Sequence, residues 1–162
     1  MSIETVRAYL KERGREQEIL EFPVSSATVE LAAQALNTQP ARIAKTLSFK
    51  TPDGDCLLLV AAGDGKIDNR KFRETFGFKA KMLAFDEVEP MTGHGVGGVC
   101  PFANPEGVRV CLDESLRRFE TVFPACGSGN SAIRLTCDEL ESLSNAAGWV
   151  DICKGWQPDE SI

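Results

Sequence analysis

The single histidine of this sequence, His94, lies in the stretch 92–102, in which four glycines occupy the six positions 93–98. A segment with so few side chains is either a flexible turn or a surface where backbone N–H groups approach a ligand or another strand. The stretch lacks the Gly-Lys-Ser/Thr ending of a phosphate loop, and its glycine order does not match the dinucleotide-binding fingerprint. Two interpretations remain: a turn before a buried Val-Cys-Pro-Phe corner, or a backbone surface facing a substrate.

A lysine stands where an apolar residue is expected. The segment 45–50 alternates as a strand does, and the alternation puts Lys45 on the same side as Leu47 and Phe49, which should face the core. The ammonium group could be solvated while the methylene groups of the side chain pack against the core. Alternatively, the ammonium could sit at the mouth of an apolar pocket and attract a carboxylate, carbonyl or phosphate oxygen.

Six cysteines are present, at positions 56, 100, 111, 126, 137 and 153, without a Cys-x-x-Cys pair. With one histidine in the chain, this pattern supports neither a zinc site nor a thioredoxin-type redox site. Reduced, buried thiols are the simplest interpretation. The alternative makes Cys100 or Cys126 a nucleophile with His94 as its base.

The densest basic cluster belongs to a predicted helix that follows Asp68 and ends at Gly77. Arg70, Lys71 and Arg73 should lie on its outer face. Such a face is usually solvated, but it could also meet a phosphate backbone.

Short elements should position these residues. The spacing predicts a helix over about 3–13, a second helix capped at Ser25-Ser26, a helical turn from Pro40 through Ile43 and Ala44, and a buried strand over 56–62. Further strands are predicted over 131–135 and 149–153, with a polar tail from residue 157. Strands outnumber long helices, so the sequence predicts one α+β domain over 1–162, with helices flanking a mixed, curved or partly closed β-sheet.

The chain of 162 residues has a formal charge of −6, which disfavours a broad basic face for nonspecific nucleic-acid binding but leaves a small basic patch open. No apolar run approaches a membrane span, and the first residues lack the pattern of a signal peptide. We therefore expect a cytoplasmic protein.

Three motifs carry a resemblance to a known family. Ala44-Lys45-Thr46-Leu47, Gly97-Gly98-Val99-Cys100-Pro101 and the stretch from Gly127 to Leu135 share their order and spacing with the YbaK/EbsC family. These proteins are freestanding relatives of the editing domain inserted in prolyl-tRNA synthetase. The resemblance covers about residues 20–156.

The resemblance implies an enzyme that works without metal or cofactor and hydrolyses the ester of a mischarged tRNA, acting in trans, with tRNA-Pro as the expected substrate. Lys45 matches the family's essential lysine, and it would hold the aminoacyl-adenosine end. Backbone N–H groups of Gly97 and Gly98 could stabilise the developing oxyanion. The other residues expected to contact the substrate are Thr46, His94, Gly127, Ser128 and Asn130.

The expected partners are the acceptor end of mischarged tRNA, with Arg70, Lys71 and Arg73 as candidate contacts, and a synthetase such as prolyl-tRNA synthetase. A non-catalytic module that binds tRNA or an aminoacyl-nucleotide is the alternative. His94 is either a ribose or acid/base contact or a partly solvated loop residue. Alanine, cysteine, serine and threonine all remain open as the amino acid removed, and the oligomeric state is not readable from the sequence.

Overall fold

Short helices and strands alternate along the chain in a computed structural model that describes residues 2–156. The predicted polar tail from residue 157 lies outside the described residues. The helices are α1 (Ser2–Lys11), α2 (Val29–Leu36), α3 (Asn69–Phe76), α4 (Phe85–Thr92) and α5 (Cys137–Ser144). The strands are β1 (Leu20–Glu21), β2 (Ile43–Lys50), β3 (Cys56–Ala62), β4 (Lys66–Ile67), β5 (Val108–Asp113), β6 (Thr121–Pro124), β7 (Ser131–Ala132), β8 (Leu135–Thr136), β9 (Gly148–Val150) and β10 (Cys153–Lys154).

Six strands form one mixed sheet in the order β8-β6-β2-β3-β5-β9. The hairpin of β2 and β3 is antiparallel, whereas β6 and β5 join its two sides in parallel. The sheet curls into a half-barrel flanked by helices, which confirms the predicted α+β fold. Two small antiparallel pairs, β1 with β7 and β4 with β10, complete the domain.

Each face of the sheet carries its own apolar core. One core packs α1, α4 and α5 against the sheet and includes Val6, Val88 and Leu140. The other core packs α3 through Phe72, which contacts the ring of Phe49 at a centroid distance of 5.0 Å. All seven residues of β3 are buried because this strand is covered on both faces, as its continuous apolar run predicted.

Several predicted boundaries differ in the structure. The stretch 131–135 is not one strand but contains β7 and β8, which pair in different sheets, and 149–153 is likewise divided between β9 and β10. The turn that begins at Pro40 is a 3₁₀ helix that ends at Arg42, so Ile43 and Ala44 already belong to β2. These boundaries are set by hydrogen bonding to strands that are distant in the sequence, so they cannot be predicted from local residue propensities.

The helix ends follow local side-chain chemistry. The first helix ends at Lys11, two residues before the predicted end, and turns lead on to Gly14. The cap of α2 is Thr28, whose hydroxyl accepts from the Leu31 N–H, and not the predicted Ser25-Ser26 pair. Asp68 caps α3 as predicted, with its carboxylate accepting from two backbone N–H groups.

Candidate functional site

A cavity of about 380 Å³ opens beside β2, at the point where this strand loses its neighbour in the sheet. The pairing with β6 stops at Ala44, while the segment 81–83 bonds to β2 only at Ser48 and Lys50. The gap between these two contacts leaves one side of β2 open. The apolar walls include Val29, Ala32, Leu83, Val88, Val99 and Phe123.

Lys45 is half-buried and borders the cavity. Its side chain lies on the same face of β2 as Leu47 and Phe49. Its ammonium donates hydrogen bonds to the carbonyl oxygens of Gly65, at 2.5 Å, and Gly63, at 3.4 Å. An ammonium has three N–H donors, so one remains for a substrate oxygen. Burial lowers the pKa of this ammonium, and the carboxylates of Asp64 and Glu30 oppose the shift.

The two glycine-rich segments touch each other through their backbones. A Cβ atom added at Gly98 would lie 2.6 Å from the carbonyl oxygen of Gly127. The N–H of Gly98 donates to the carbonyl of Gly95 at 2.9 Å, so it is not directed at the cavity as the oxyanion hypothesis requires. Gly97 does line the cavity, with a positive φ of 92°, and its N–H has no acceptor among residues 2–156. Of the two proposed donors, only Gly97 is available.

The second loop supports the site from behind. Gly127, Ser128 and Asn130 are not among the residues that line the cavity. The Ser128 hydroxyl instead donates to Ser131, a lining residue, at 2.7 Å, and the Asn130 side chain donates to the carbonyl of Phe22 at 3.1 Å. These residues therefore fix the loop against β7 and the segment before α2.

His94 lies beneath the glycine-rich loop and is fully buried. Its Nε2 is 2.9 Å from the carbonyl oxygen of Phe102 and 3.6 Å from the Cys100 sulfur. The imidazole does not line the cavity, and burial lowers its pKa, which favours the neutral ring.

Cys100 and Cys126 are fully buried as well, and burial raises the pKa of the Cys100 thiol to about 12. A thiol that is protonated and out of contact with solvent is a poor nucleophile. The geometry therefore disfavours the Cys/His hydrolase alternative.

The three cations of α3 do not share one environment. Lys71 binds the Asp151 carboxylate at 3.1 Å and the carbonyl of Cys153, so it faces β10. Arg70 is largely exposed and pairs with Glu74, and together with Arg73 and Lys79 it borders an open surface depression. Only the two arginines lie where a phosphate backbone could reach them.

Sequence reasoning missed several residues that border the cavity. Among them are Ser48, buried on the same face of β2 as Thr46, and the exposed apolar residues Met82 and Val96 at the mouth. The strand alternation could have shown that Thr46 and Ser48 share a face. Nothing local in the sequence brings Met82 and Val96 to the same opening.

No group of three or more metal-binding side chains occurs within residues 2–156. In the same range, no helix is long and apolar enough to cross a membrane.

Residues 24–143 match the family described as "Aminoacyl-tRNA editing domain". The chain belongs to this family. The match confirms the resemblance found in the sequence, and the matched region of this editing domain contains β2, α2, α4, both glycine-rich segments and the whole cavity lining.

Curated proteins with similar sequences include an uncharacterized protein and proline–tRNA ligases. The uncharacterized protein YwhH of Bacillus subtilis is 53% identical over 157 residues, which are 97% of this chain and 100% of YwhH. The proline–tRNA ligase of Aquifex aeolicus is 30% identical over 90 residues, which are 55% of this chain but only 16% of the ligase.

A solved structure shows the same fold. A protein proposed to be a trans-editing enzyme for prolyl-tRNA synthetase superposes with a TM-score of 0.84 at 30% identity, covering 95% of this chain and 98% of the other. Both the family and the fold therefore connect this chain with aminoacyl-tRNA editing.

Proposed function

We propose that this protein is a trans-editing deacylase that hydrolyses the ester between a wrong amino acid and the terminal ribose of a tRNA, with tRNA-Pro as the expected carrier. The observation that carries the proposal is the cavity beside β2, whose lining includes both Lys45 and Gly97, the latter with a backbone N–H that has no acceptor among residues 2–156. Membership of the editing family and the proline–tRNA ligase relative support it.

In the proposed reaction, a water oxygen adds to the ester carbonyl carbon, and the bond from that carbon to the ribose oxygen then breaks. The ribose oxygen takes up the proton that the attacking water loses and so becomes a hydroxyl group, and the free amino acid leaves. In this scheme the N–H of Gly97 stabilises the negative charge that develops on the carbonyl oxygen. No metal or cofactor takes part in this scheme.

Lys45 holds the substrate and is not the nucleophile. The carbonyl oxygens of Gly63 and Gly65 orient its ammonium, and its remaining N–H donates to an oxygen of the aminoacyl-adenosine end. Because the reacting groups are then fixed in place, positioning supplies much of the rate enhancement.

The test is hydrolysis of tRNA-Pro charged with alanine, cysteine, serine, threonine or proline, with the native protein and Lys45→Ala in parallel. We expect the native protein to cleave at least one mischarged ester and Lys45→Ala to be slower by about 100-fold or more, the scale of removing an electrostatic interaction from a water-poor site. Lys11→Ala, at the exposed end of α1, is the matched control and should keep full activity.

If the native protein binds charged tRNA but cleaves no ester above background, the deacylase proposal is wrong and the non-catalytic binding module is correct. Equal rates for the native protein and Lys45→Ala would remove the role proposed for the lysine.

A further inference from the structure

Two hydroxyl groups of β2 have no protein partner at the cavity. The Thr46 Oγ1 atom is buried without a hydrogen bond. The Ser48 hydroxyl also makes no hydrogen bond to the other described residues, but its oxygen keeps some contact with solvent. Both residues border the cavity. A buried hydroxyl left unpaired is unfavourable, so the Thr46 hydroxyl requires an explanation, and the Ser48 hydroxyl beside it is open to a ligand.

The register of the hairpin places both hydroxyls on one face. Thr46 is opposite Val60 and Ser48 is opposite Leu58, and both of these β3 residues belong to the core on the cavity side of the sheet. Residues two apart on a strand are separated by about 7 Å. The two hydroxyls can therefore act on a single small group lying along β2.

Thr46 can turn its hydroxyl into the cavity. Its Oγ1 is covered, yet the residue as a whole is half-buried and borders the opening. A rotation of about 120° about the Cα–Cβ bond moves between staggered rotamers and exchanges the hydroxyl with the methyl group. A polar group in the cavity would favour that rotamer because it supplies the missing partner.

The neighbouring hydroxyls do not have this freedom. The Ser131 hydroxyl accepts from Ser128, and the Thr28 hydroxyl caps α2. The remaining wall is mainly apolar, with Val29, Ala32 and Val88 as examples. Thr46 and Ser48 therefore carry the hydroxyl groups at the cavity that have no partner among the described residues.

We infer that Thr46 and Ser48 select an amino acid whose side chain carries a hydroxyl, so that seryl and threonyl esters are preferred over apolar ones of the same shape. This inference rests on the proposed deacylase function. A site built to bond a substrate hydroxyl rejects the analogue that lacks it, because its own polar groups then stay unpaired.

The experiment compares two shape-matched pairs of esters on the same tRNA, charged with an aminoacylating ribozyme: serine against 2-aminobutyrate, and threonine against valine. Each pair exchanges a hydroxyl for a methyl group. We expect kcat/KM of the native protein to favour the hydroxyl member by about tenfold or more. The Thr46→Val, Ser48→Ala double variant should bring both ratios close to one.

Thr46→Ser, which keeps a hydroxyl, is the matched control and should keep the preference. Equal cleavage of both members of each pair by the native protein would overturn this inference and leave the deacylase function standing. The inference would also be overturned if the double variant had an unchanged melting temperature and still showed the native ratios of kcat/KM. Cleavage of none of the four esters would overturn this inference as well, and the alanyl and cysteinyl esters of the first panel would then decide whether the deacylase function stands.

Discussion

His94 illustrates how a residue type that suggests catalysis can serve the packing of a loop. The imidazole donates from Nε2 to the Phe102 carbonyl under the glycine-rich loop, and the side chain of Asn104 interacts with the same ring. Protonation of Nδ1 would place a charge in a buried site, which explains why burial lowers the pKa of this ring.

This shift predicts a loss of stability in mild acid. As the pH falls below about 6.5, the unfolded chain takes up a proton on the histidine that the folded protein does not, so the free energy of unfolding decreases by up to about 1.4 kcal/mol per pH unit. Urea unfolding at pH 7.5, 6.5 and 5.5 measures the effect. His94→Gln, which retains a side-chain N–H donor, should remove most of the slope.

The window between pH 5 and 6.5 separates this effect from that of the carboxylates. The pKa values of Glu87 and Glu139 are lowered, chiefly by hydrogen bonds to Lys50 and to the Thr136 N–H, so stability that depends on them is lost only in stronger acid. A native protein that is as stable at pH 5.5 as at pH 7.5 would show that the buried imidazole does not resist protonation.

At the scale of elements, one wall of the cavity depends on the contact between the two glycine-rich loops. Gly98 approaches Gly127 and Ser128 so closely that even a methyl group would meet only backbone atoms, at 2.6 to 3.0 Å. Backbone cannot rotate away as a flexible side chain does, so one loop would have to move. The glycine is therefore required for close approach, whereas Gly97 is required for its positive φ.

We expect Gly98→Ala to lower the free energy of unfolding by about 1–3 kcal/mol, the usual cost of overpacking, and to slow hydrolysis because Gly97 moves with the loop. Thermal unfolding and the deacylation assay measure the two effects. The control is Gly148→Ala in β9, where an added Cβ has nothing within 4 Å and φ is not positive. Its stability should change by less than about 0.5 kcal/mol.

An unchanged melting temperature for Gly98→Ala would mean that the loops separate more easily than their contact indicates. If Gly98→Ala lost activity at unchanged stability, the glycine would instead act on substrate binding and not on the packing of the two loops.

At the scale of the whole molecule, the net charge of −6 limits how a tRNA can bind. An acidic protein repels a phosphate backbone except at a local patch. Arg70, Arg73 and Lys79 border one such patch on α3, the helix that packs on the second core. The third predicted contact, Lys71, is already engaged by Asp151 and the Cys153 carbonyl.

The cations of α3 should therefore contribute unequally to tRNA affinity. We expect the double variant Arg70→Glu, Arg73→Glu to weaken tRNA binding. It should also reduce the slope of log affinity against log salt concentration by about 2, one for each phosphate that the variant no longer neutralises. Lys71→Glu should change that slope little. Filter binding over a range of salt concentrations measures both, and an unchanged affinity and slope for the double variant would remove α3 from the tRNA interface.

Local patterns in the sequence are sufficient to predict the α+β class, the buried strand β3, the helix cap at Asp68 and the family. These features depend on local patterns: a continuous apolar run, a capping residue, and three short motifs in a fixed order. The sequence also placed Lys45 on one face with Leu47 and Phe49, because strand alternation is a property of the backbone. The structure retains that placement.

Which of the candidate residues line the cavity depends on long-range contacts, and these are visible in the folded protein alone. His94, Gly98 and Asn130 are close in sequence to residues that line the cavity, but none of the three lines it. Each instead makes a hydrogen bond within the protein: His94 to Phe102, Gly98 to Gly95 and Asn130 to Phe22. Such partners are set by the folding of distant segments onto one another. In the same way, the unpaired hydroxyls of Thr46 and Ser48 become visible only when every neighbour is in place, because a missing partner is a property of the whole surrounding structure.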